Sequence, residues 1–172
     1  MRTDTRSWAD YRLGDLFDIK KGRRLTREDM NPGPHNYLGA ISSNNGIRDH
    51  ITVDDENQLF APNCITINYN GSVGEAFYQS EPFWVSDDVN VLYAKPEWRL
   101  DPLIAIFIIT VIKTNKYKFA YGRKWTVEKM RESTILLPSR NGEPDWECMR
   151  KYITKLHYQR ITTRKKKFNT QK

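Results

Sequence analysis

Along the 172 residues, apolar positions fall into several short runs with strand periodicity, one ten-residue apolar block and one helical stripe. Residues 11–19 read as a turn feeding a short strand that ends at Lys20, and residues 21–24 as a loop hinged on Gly22. Asn31-Pro32-Gly33-Pro34 is dense in turn residues and is expected to form neither helix nor central strand. A strand over residues 37–41 is followed by the turn signal Asn44-Asn45-Gly46. Residues 64–69 (Cys-Ile-Thr-Ile-Asn-Tyr) alternate with period two, which predicts a half-buried strand. Asn70-Gly71 turns it into a return strand over residues 74–78, and residues 89–93 form another.

The apolar block, residues 103–112, is opened by Asp101-Pro102, a good N-cap followed by proline at the first helical position. A buried helix over residues 103–115 is expected, although the β-branched Ile104, Ile106, Ile108 and Ile109 also suit a strand. Residues 133–137 read as a strand stopped by Pro138, and residues 141–144 as a linker. Asp145 then caps a final helix in which Trp146, Met149, Ile153 and Leu156 recur at spacings of three, four and three, a stripe that needs a partner surface. The stripe fades at Arg160, so no long coiled coil is expected. These elements divide the chain into a domain over 1–144 and a C-terminal helix with a basic tail over 145–172.

Composition narrows the class. A hydrophobic fraction of 38% with 12% aromatic residues suits a folded domain with a polar, aromatic-studded surface. Arg2, Asp4, Arg6 and Asp10 interrupt the N-terminal twenty residues, and the apolar block is half the ~20 residues of a membrane span, so a soluble, cytoplasmic protein is expected. Cys64 and Cys148 lie far apart, and His35, His50 and His157 are scattered, which offers no metal-ligand spacing.

Charge is segregated within the net +7. Residues 28–101 hold twelve acids against three bases, whereas from Cys148 onward there are nine bases and no acid. Two internal blocks are basic: Lys20, Lys21, Arg23 and Arg24 with Arg27, and residues 113–124 with five bases. A chain that lays one face on a polyanion has reason to segregate charge in this way, because each neutralised phosphate releases counterions. The tail Arg164-Lys165-Lys166-Lys167 reads equally well as a solvated helix end.

Three clusters carry further information. The first is Leu13-Gly14-Asp15-Leu16-Phe17-Asp18-Ile19-Lys20-Lys21-Gly22. The second is Ile67-Asn68-Tyr69-Asn70-Gly71-Ser72-Val73-Gly74, followed by Pro82-Phe83 and Ser86-Asp87-Asp88-Val89. The third is Lys116-Tyr117-Lys118-Phe119-Ala120-Tyr121-Gly122-Arg123-Lys124-Trp125, with Leu136-Leu137-Pro138 and Pro144-Asp145-Trp146-Glu147 beyond it. In order and spacing, over residues 8–158, the chain resembles the target recognition domain of specificity subunits in type I-like restriction-modification systems. The resemblance implies an α/β domain with a twisted, mostly antiparallel sheet that holds double-stranded DNA with loops at one end and reads one part of a split sequence. It implies that the chemistry lies in an N6-adenine methyltransferase subunit or a fused methyltransferase–nuclease, and that this chain needs no cofactor. Such subunits usually carry two recognition domains joined by long helices. The resemblance therefore implies either a half-subunit that dimerises, through its C-terminal helix for example, or a fragment of a larger protein.

The candidate DNA-binding residues are Lys20, Lys21, Arg23, Arg24, Asn44, Asn45, Asn68, Asn70, Ser72, Tyr121, Arg123 and Lys124. Arg23 and Arg24 are placed beside Gly22 to approach a phosphate or to reach a guanine edge with bidentate geometry. The four asparagines suit adenine edges, although asparagine beside glycine more often serves turn chemistry. Residues 121–124 combine an aromatic, a glycine and two cations in one loop. Rival functions fit less well. Adenine methylation needs a glycine-bearing cofactor loop and a catalytic Pro-Pro-aromatic run, whereas Pro82-Phe83 follows Glu81. For a metal nuclease, Asp87-Asp88 with Lys95 is the only loose set. No aromatic-rich sheet motif points to RNA. A protein-interaction module or decoy using the Trp146 helix face stands as the alternative.

Overall fold

The computed structural model describes residues 7–119 and 124–169. The described chain runs β1 (Trp8–Arg12), a single helical turn α1 (Leu13–Leu16), β2 (Phe17–Lys21), β3 (Pro32–Leu38), β4 (Ile47–Ile51), β5 (Cys64–Asn68), β6 (Ala76–Gln79), β7 (Phe83–Val85) and β8 (Val89–Ala94). It continues through α2 (Pro102–Thr114), α3 (Val127–Glu132), β9 (Thr134–Arg140), β10 (Glu143–Pro144) and α4 (Trp146–Asn169). The α/β class with mostly antiparallel strands agrees with the sequence reading. The strands divide among three small sheets, ordered β2-β8-β5-β6, β4-β3-β7 and β1-β9-β10, and β3–β7 is the parallel pairing.

The central sheet, β2-β8-β5-β6, is covered on both sides. Register puts Ile65 opposite Leu92 and Leu92 opposite Ile19. This face packs with Phe17, Ile67 and the α2 residues Ile104, Phe107 and Ile108 in the main core. On the other face Cys64, Val89 and Val91 pack with Leu38, Phe83 and Val85 of the β4-β3-β7 sheet. All five residues of β5 are consequently buried, which corrects the half-buried expectation. The polar positions of the alternation face the second sheet, not solvent, and are hydrogen-bonded there, as buried polar groups must be. Gln79 Nε2 donates to Thr66 Oγ1 at 3.1 Å, and Asn68 Nδ2 donates to the Ile41 carbonyl at 2.9 Å.

Helix α2 forms where its cap places it, the β-branched isoleucines notwithstanding. Asp101 Oδ1 accepts from the Leu103 and Ile104 N–H groups at 2.9 and 3.0 Å, and Ile104, Ala105, Phe107, Ile108 and Ile112 are buried. The other carboxylate oxygen pairs with Arg150 of α4, tying the two helices together. Burial pushes the Asp101 carboxyl up, but the Ile104 N–H, Arg150 and the Leu103 N–H outweigh it and hold the group below its ordinary value. A depressed carboxylate contributes stability that is present above its unfolded pKa, about 3.9, and is lost as pH falls through the folded value. Asp101→Ala is therefore expected to lower the unfolding free energy at pH 7 by about 0.5–2 kcal/mol. Urea titrations should show the difference between variant and parent shrinking below about pH 4. Equal stabilities at pH 7 would mean that the cap contributes nothing.

Prolines sit inside two strands, Pro32 and Pro34 in β3 and Pro138 in β9. β3 starts at Pro32, but over Pro32–His35 it pairs with β4 alone and through a register shift, and it acquires β7 as a second neighbour only at Asn36–Leu38. At the prolines β3 is an edge with a bulge, which tolerates a missing N–H. β9 passes through Pro138 instead of stopping. The Ser139 N–H bonds to the Ser7 carbonyl, so Pro138 turns its own polar edge toward β10, where the Asp145 N–H reaches its carbonyl. The expected linker is a hairpin turn between β9 and β10. Asn141 and Gly142 both have positive φ, 53° and 87°, as a two-residue turn of this hand requires.

Asp145 caps α4 as expected, accepting from the Cys148 N–H at 2.9 Å. Trp146 stacks on Trp98 with ring centroids 4.1 Å apart, Met149 is fully buried and Ile153 is packed at the core margin, whereas Leu156 is exposed. The helix continues past Arg160 to Asn169. Strands β1, β4 and β7 and helix α3 were not legible in the pattern. Among the described residues no helix is long and apolar enough to cross a membrane.

Candidate nucleic-acid interface

The end of β2 is shaped by one glycine. A Cβ on Gly22 would lie 2.0 Å from the Ser86 carbonyl oxygen, so only glycine lets the chain turn this tightly onto the β7–β8 corner. The Gly22 N–H bonds to the Val89 carbonyl and the Arg23 N–H to the Val85 carbonyl, both at 2.9 Å. Trp84 Nε1 donates to the Arg23 carbonyl at 3.3 Å. The Arg23 guanidinium lies 5.0 Å from the Phe60 ring centroid and 4.6 Å from that of Trp84. Lys20 Nζ is 5.2 Å above Tyr93, and Lys21 Nζ is 5.5 Å above Tyr69. Such cation–aromatic contacts are worth about 0.5–1 kcal/mol when exposed. Together Lys20, Lys21, Arg23, Phe60, Ala61 and Tyr93 line an open groove of about 570 Å³.

The other two sequence clusters reach the same end of the central sheet. The Tyr69 N–H, at the start of the β5–β6 turn, bonds to the Asp88 carbonyl, and the Trp125 N–H bonds to the Tyr69 carbonyl at 3.1 Å. Trp125 is itself buried, with Nε1 donating to Ser133 Oγ at 2.9 Å. Lys124, which is exposed, is thereby held beside the turn over which Lys21 rests.

The candidate residues divide by what holds them. Lys20, Lys21 and Arg23 are exposed and have no carboxylate partner among the described residues. Arg24 and Lys124 are exposed as well. Asn44 and Asn45 serve the turn: both have positive φ, and their amides donate to the carbonyls of Ile47 and Tyr78 at 2.9 and 3.1 Å. Asn68 is only 1% exposed, a correction to its reading as a base contact, because its amide is committed to fastening the loop at Ile41. Asn70 donates to Asp88 Oδ1 at 2.8 Å, and Ser72 is half-buried in the β5–β6 turn. Tyr121 and Arg123 lie outside the described residues.

The second basic block is less free than its sequence suggests. Lys113 and Lys116 both pair with Glu75, at 3.0 and 2.8 Å. Burial pushes the Glu75 carboxyl up, but the two lysines outweigh it and hold it below its ordinary value. The aromatic platforms Phe60, Tyr69, Trp84 and Tyr93 were not singled out in the sequence. Phe60 and Trp84 carry no sequence signal beyond the high aromatic fraction, and Tyr69 and Tyr93 enter as members of the runs 64–69 and 89–93, because the four come from separate stretches of the chain.

Two solved structures share this fold. The S subunit of a type I restriction-modification system from M. genitalium aligns over 96% of this chain and 42% of its own, with a TM-score of 0.61 at 17% identity. The HsdS subunit of Thermoanaerobacter tengcongensis aligns over 92% of this chain and 39% of its own, with a TM-score of 0.63 at 16% identity. The architecture is thus one found in restriction-modification specificity subunits. The chain belongs to the type I restriction modification DNA specificity domain family, whose model matches residues 5–165. The specificity subunit S.BcgI of a type II restriction enzyme from Heyndrickxia coagulans is 38% identical over 151 residues, 87% of this chain and 43% of that protein. A putative type I specificity subunit of Mycoplasma pneumoniae is 34% identical over 84 residues, 48% of this chain and 22% of that protein. The chain thus spans less than half the length of these relatives.

Proposed function

We propose that this domain recognises a sequence in double-stranded DNA as the specificity component of a restriction-modification system, reading one part of a split target. It directs a partner N6-adenine methyltransferase, with or without an endonuclease, and the partner performs the chemistry. The observation that carries this reading is the set of three cations, Lys20, Lys21 and Arg23, that rest on aromatic rings and form no salt bridge among the described residues. They stand at the end of the sheet where the β5–β6 turn and Lys124 also converge, as a surface that meets phosphates and base edges requires. The test is to supply a partner adenine methyltransferase with and without this chain and to map the methylated adenines. Methylation at defined sites only in the presence of the chain is expected. Sites that do not depend on the chain would overturn the reading.

A second surface supports assembly. Trp8, Phe107, Leu136, Tyr152, Ile153 and Leu156 surround an apolar groove of about 460 Å³ between α2, α4 and β9, and Leu136 and Leu156 are exposed. We propose that α4 of a second copy covers it, giving two recognition units. Burying each leucine is worth about 1.5–3 kcal/mol. Leu156→Glu is expected to shift sedimentation from dimer to monomer. A parent chain that is monomeric at every concentration would remove the proposal.

A further inference from the structure

Arg23 is held unlike any other described cation. Its backbone is fixed on both sides, with the N–H bonded to the Val85 carbonyl and the carbonyl accepting from Trp84 Nε1. Its guanidinium contacts two rings, 5.0 Å from Phe60 and 4.6 Å from Trp84. Phe60 is braced in turn by stacking on Phe83, with centroids 5.8 Å apart, and by backbone bonds to that residue in both directions. By contrast Arg12, Arg140 and Arg150 are each paired with a carboxylate.

The consequence is directional. Aromatic contact draws on the positive charge of a guanidinium and consumes none of its N–H donors, which remain available as a bonding surface. A planar fork in a fixed orientation matches the O6 and N7 acceptors of guanine with two parallel hydrogen bonds. Phosphate makes no such demand and is served by any cation within reach. Lys20 and Lys21 each sit over one ring, and an ammonium has no plane to fix, so they supply charge without direction. Arg23 has also already given up rotamer freedom that a loose surface arginine loses on binding.

We propose that Arg23 is a specificity-determining residue, presented by Phe60 and Trp84 to read a guanine at the groove, while Lys20 and Lys21 hold phosphates. This rests on the DNA-recognition reading above and assigns the division of labour within it. The experiment incubates the full chain with a pool of randomised duplexes and sequences the bound fraction, for the parent, Arg23→Lys and Lys20→Ala. Urea unfolding of each variant confirms an intact fold. The parent should enrich one G·C pair that Arg23→Lys no longer enriches, with discrimination there reduced by about 5- to 150-fold and other positions unchanged. Lys20→Ala should weaken binding to all sequences alike and leave every preference in place. If Arg23→Lys keeps the parental preference at every position, Arg23 is a phosphate contact and the proposal fails while DNA recognition stands. If the parent itself shows no preference, sequence recognition by this chain fails and the role of Arg23 fails with it.

Discussion

Binding of this domain to random duplex is expected to weaken steeply with salt, and replacing Lys20 and Lys21 by alanine is expected to flatten that dependence. Each neutralised phosphate contributes a log–log slope of about −0.9, roughly 3.5-fold in affinity between 50 and 200 mM salt. Engagement of phosphates by Lys20, Lys21, Arg24 and Lys124, all exposed, would give a slope near −3.6 and a loss of roughly 150-fold over that range. The double alanine variant should bring the slope to about −1.8. Lys113→Ala provides the control. Lys113 pairs with Glu75, which keeps Lys116 after the substitution, so the slope should not move. A flat salt response of the parent, or equal slopes for parent and double variant, would show that these lysines do not meet phosphates.

Trp125→Ala is expected to give the largest loss of stability. The side chain is 1% exposed within the main core, and truncating a buried tryptophan costs about 3–5 kcal/mol through lost contacts and the cavity left behind. The residue also fixes the interface. Its N–H bonds to Tyr69, its carbonyl accepts from Asn90 Nδ2, and Lys124 is its neighbour. Duplex affinity should therefore fall by more than the unfolded fraction explains. Trp125→Phe keeps most of the packing and loses the bond to Ser133, so it should cost less and bind DNA almost as the parent does. Urea titration followed by duplex binding distinguishes the cases. A Trp125→Ala protein within about 1 kcal/mol of the parent, well below the usual cost of such a truncation, would contradict this anchoring role.

Local chemistry was legible wherever a few neighbouring residues decide the conformation. Asp101 caps α2, Asp145 caps α4, and Asn44-Asn45-Gly46 forms a turn, each through bonds within four residues. The strands were harder to read, because their state depends on neighbours distant in sequence. Residues 64–68 alternate like a half-solvated strand, yet a second sheet closes over the polar side. Pro32 and Pro138 argue against strands only if both edges are paired, and pairing is a property of the assembled sheets. The short β7 has no pattern of its own and exists because β3 offers it an edge. Asn141-Gly142 carried a hairpin signal that was obscured by the proline after it.

By itself, the sequence determined the mixed α/β class and the family resemblance, and it marked two internal basic blocks as candidate cationic elements. These follow from residue type and order, which folding does not alter. Only the tertiary structure decided which charges and amides remain available. It withdrew Asn68 into the core and engaged Lys113 and Lys116 with Glu75, although nothing near those residues in sequence announces either partner. It also assembled Phe60, Trp84 and Tyr93 beneath Arg23 and Lys20 from separate stretches of chain. Charge is written in the sequence, but its orientation depends on what packs against it, and that packing exists only once the sheets have closed.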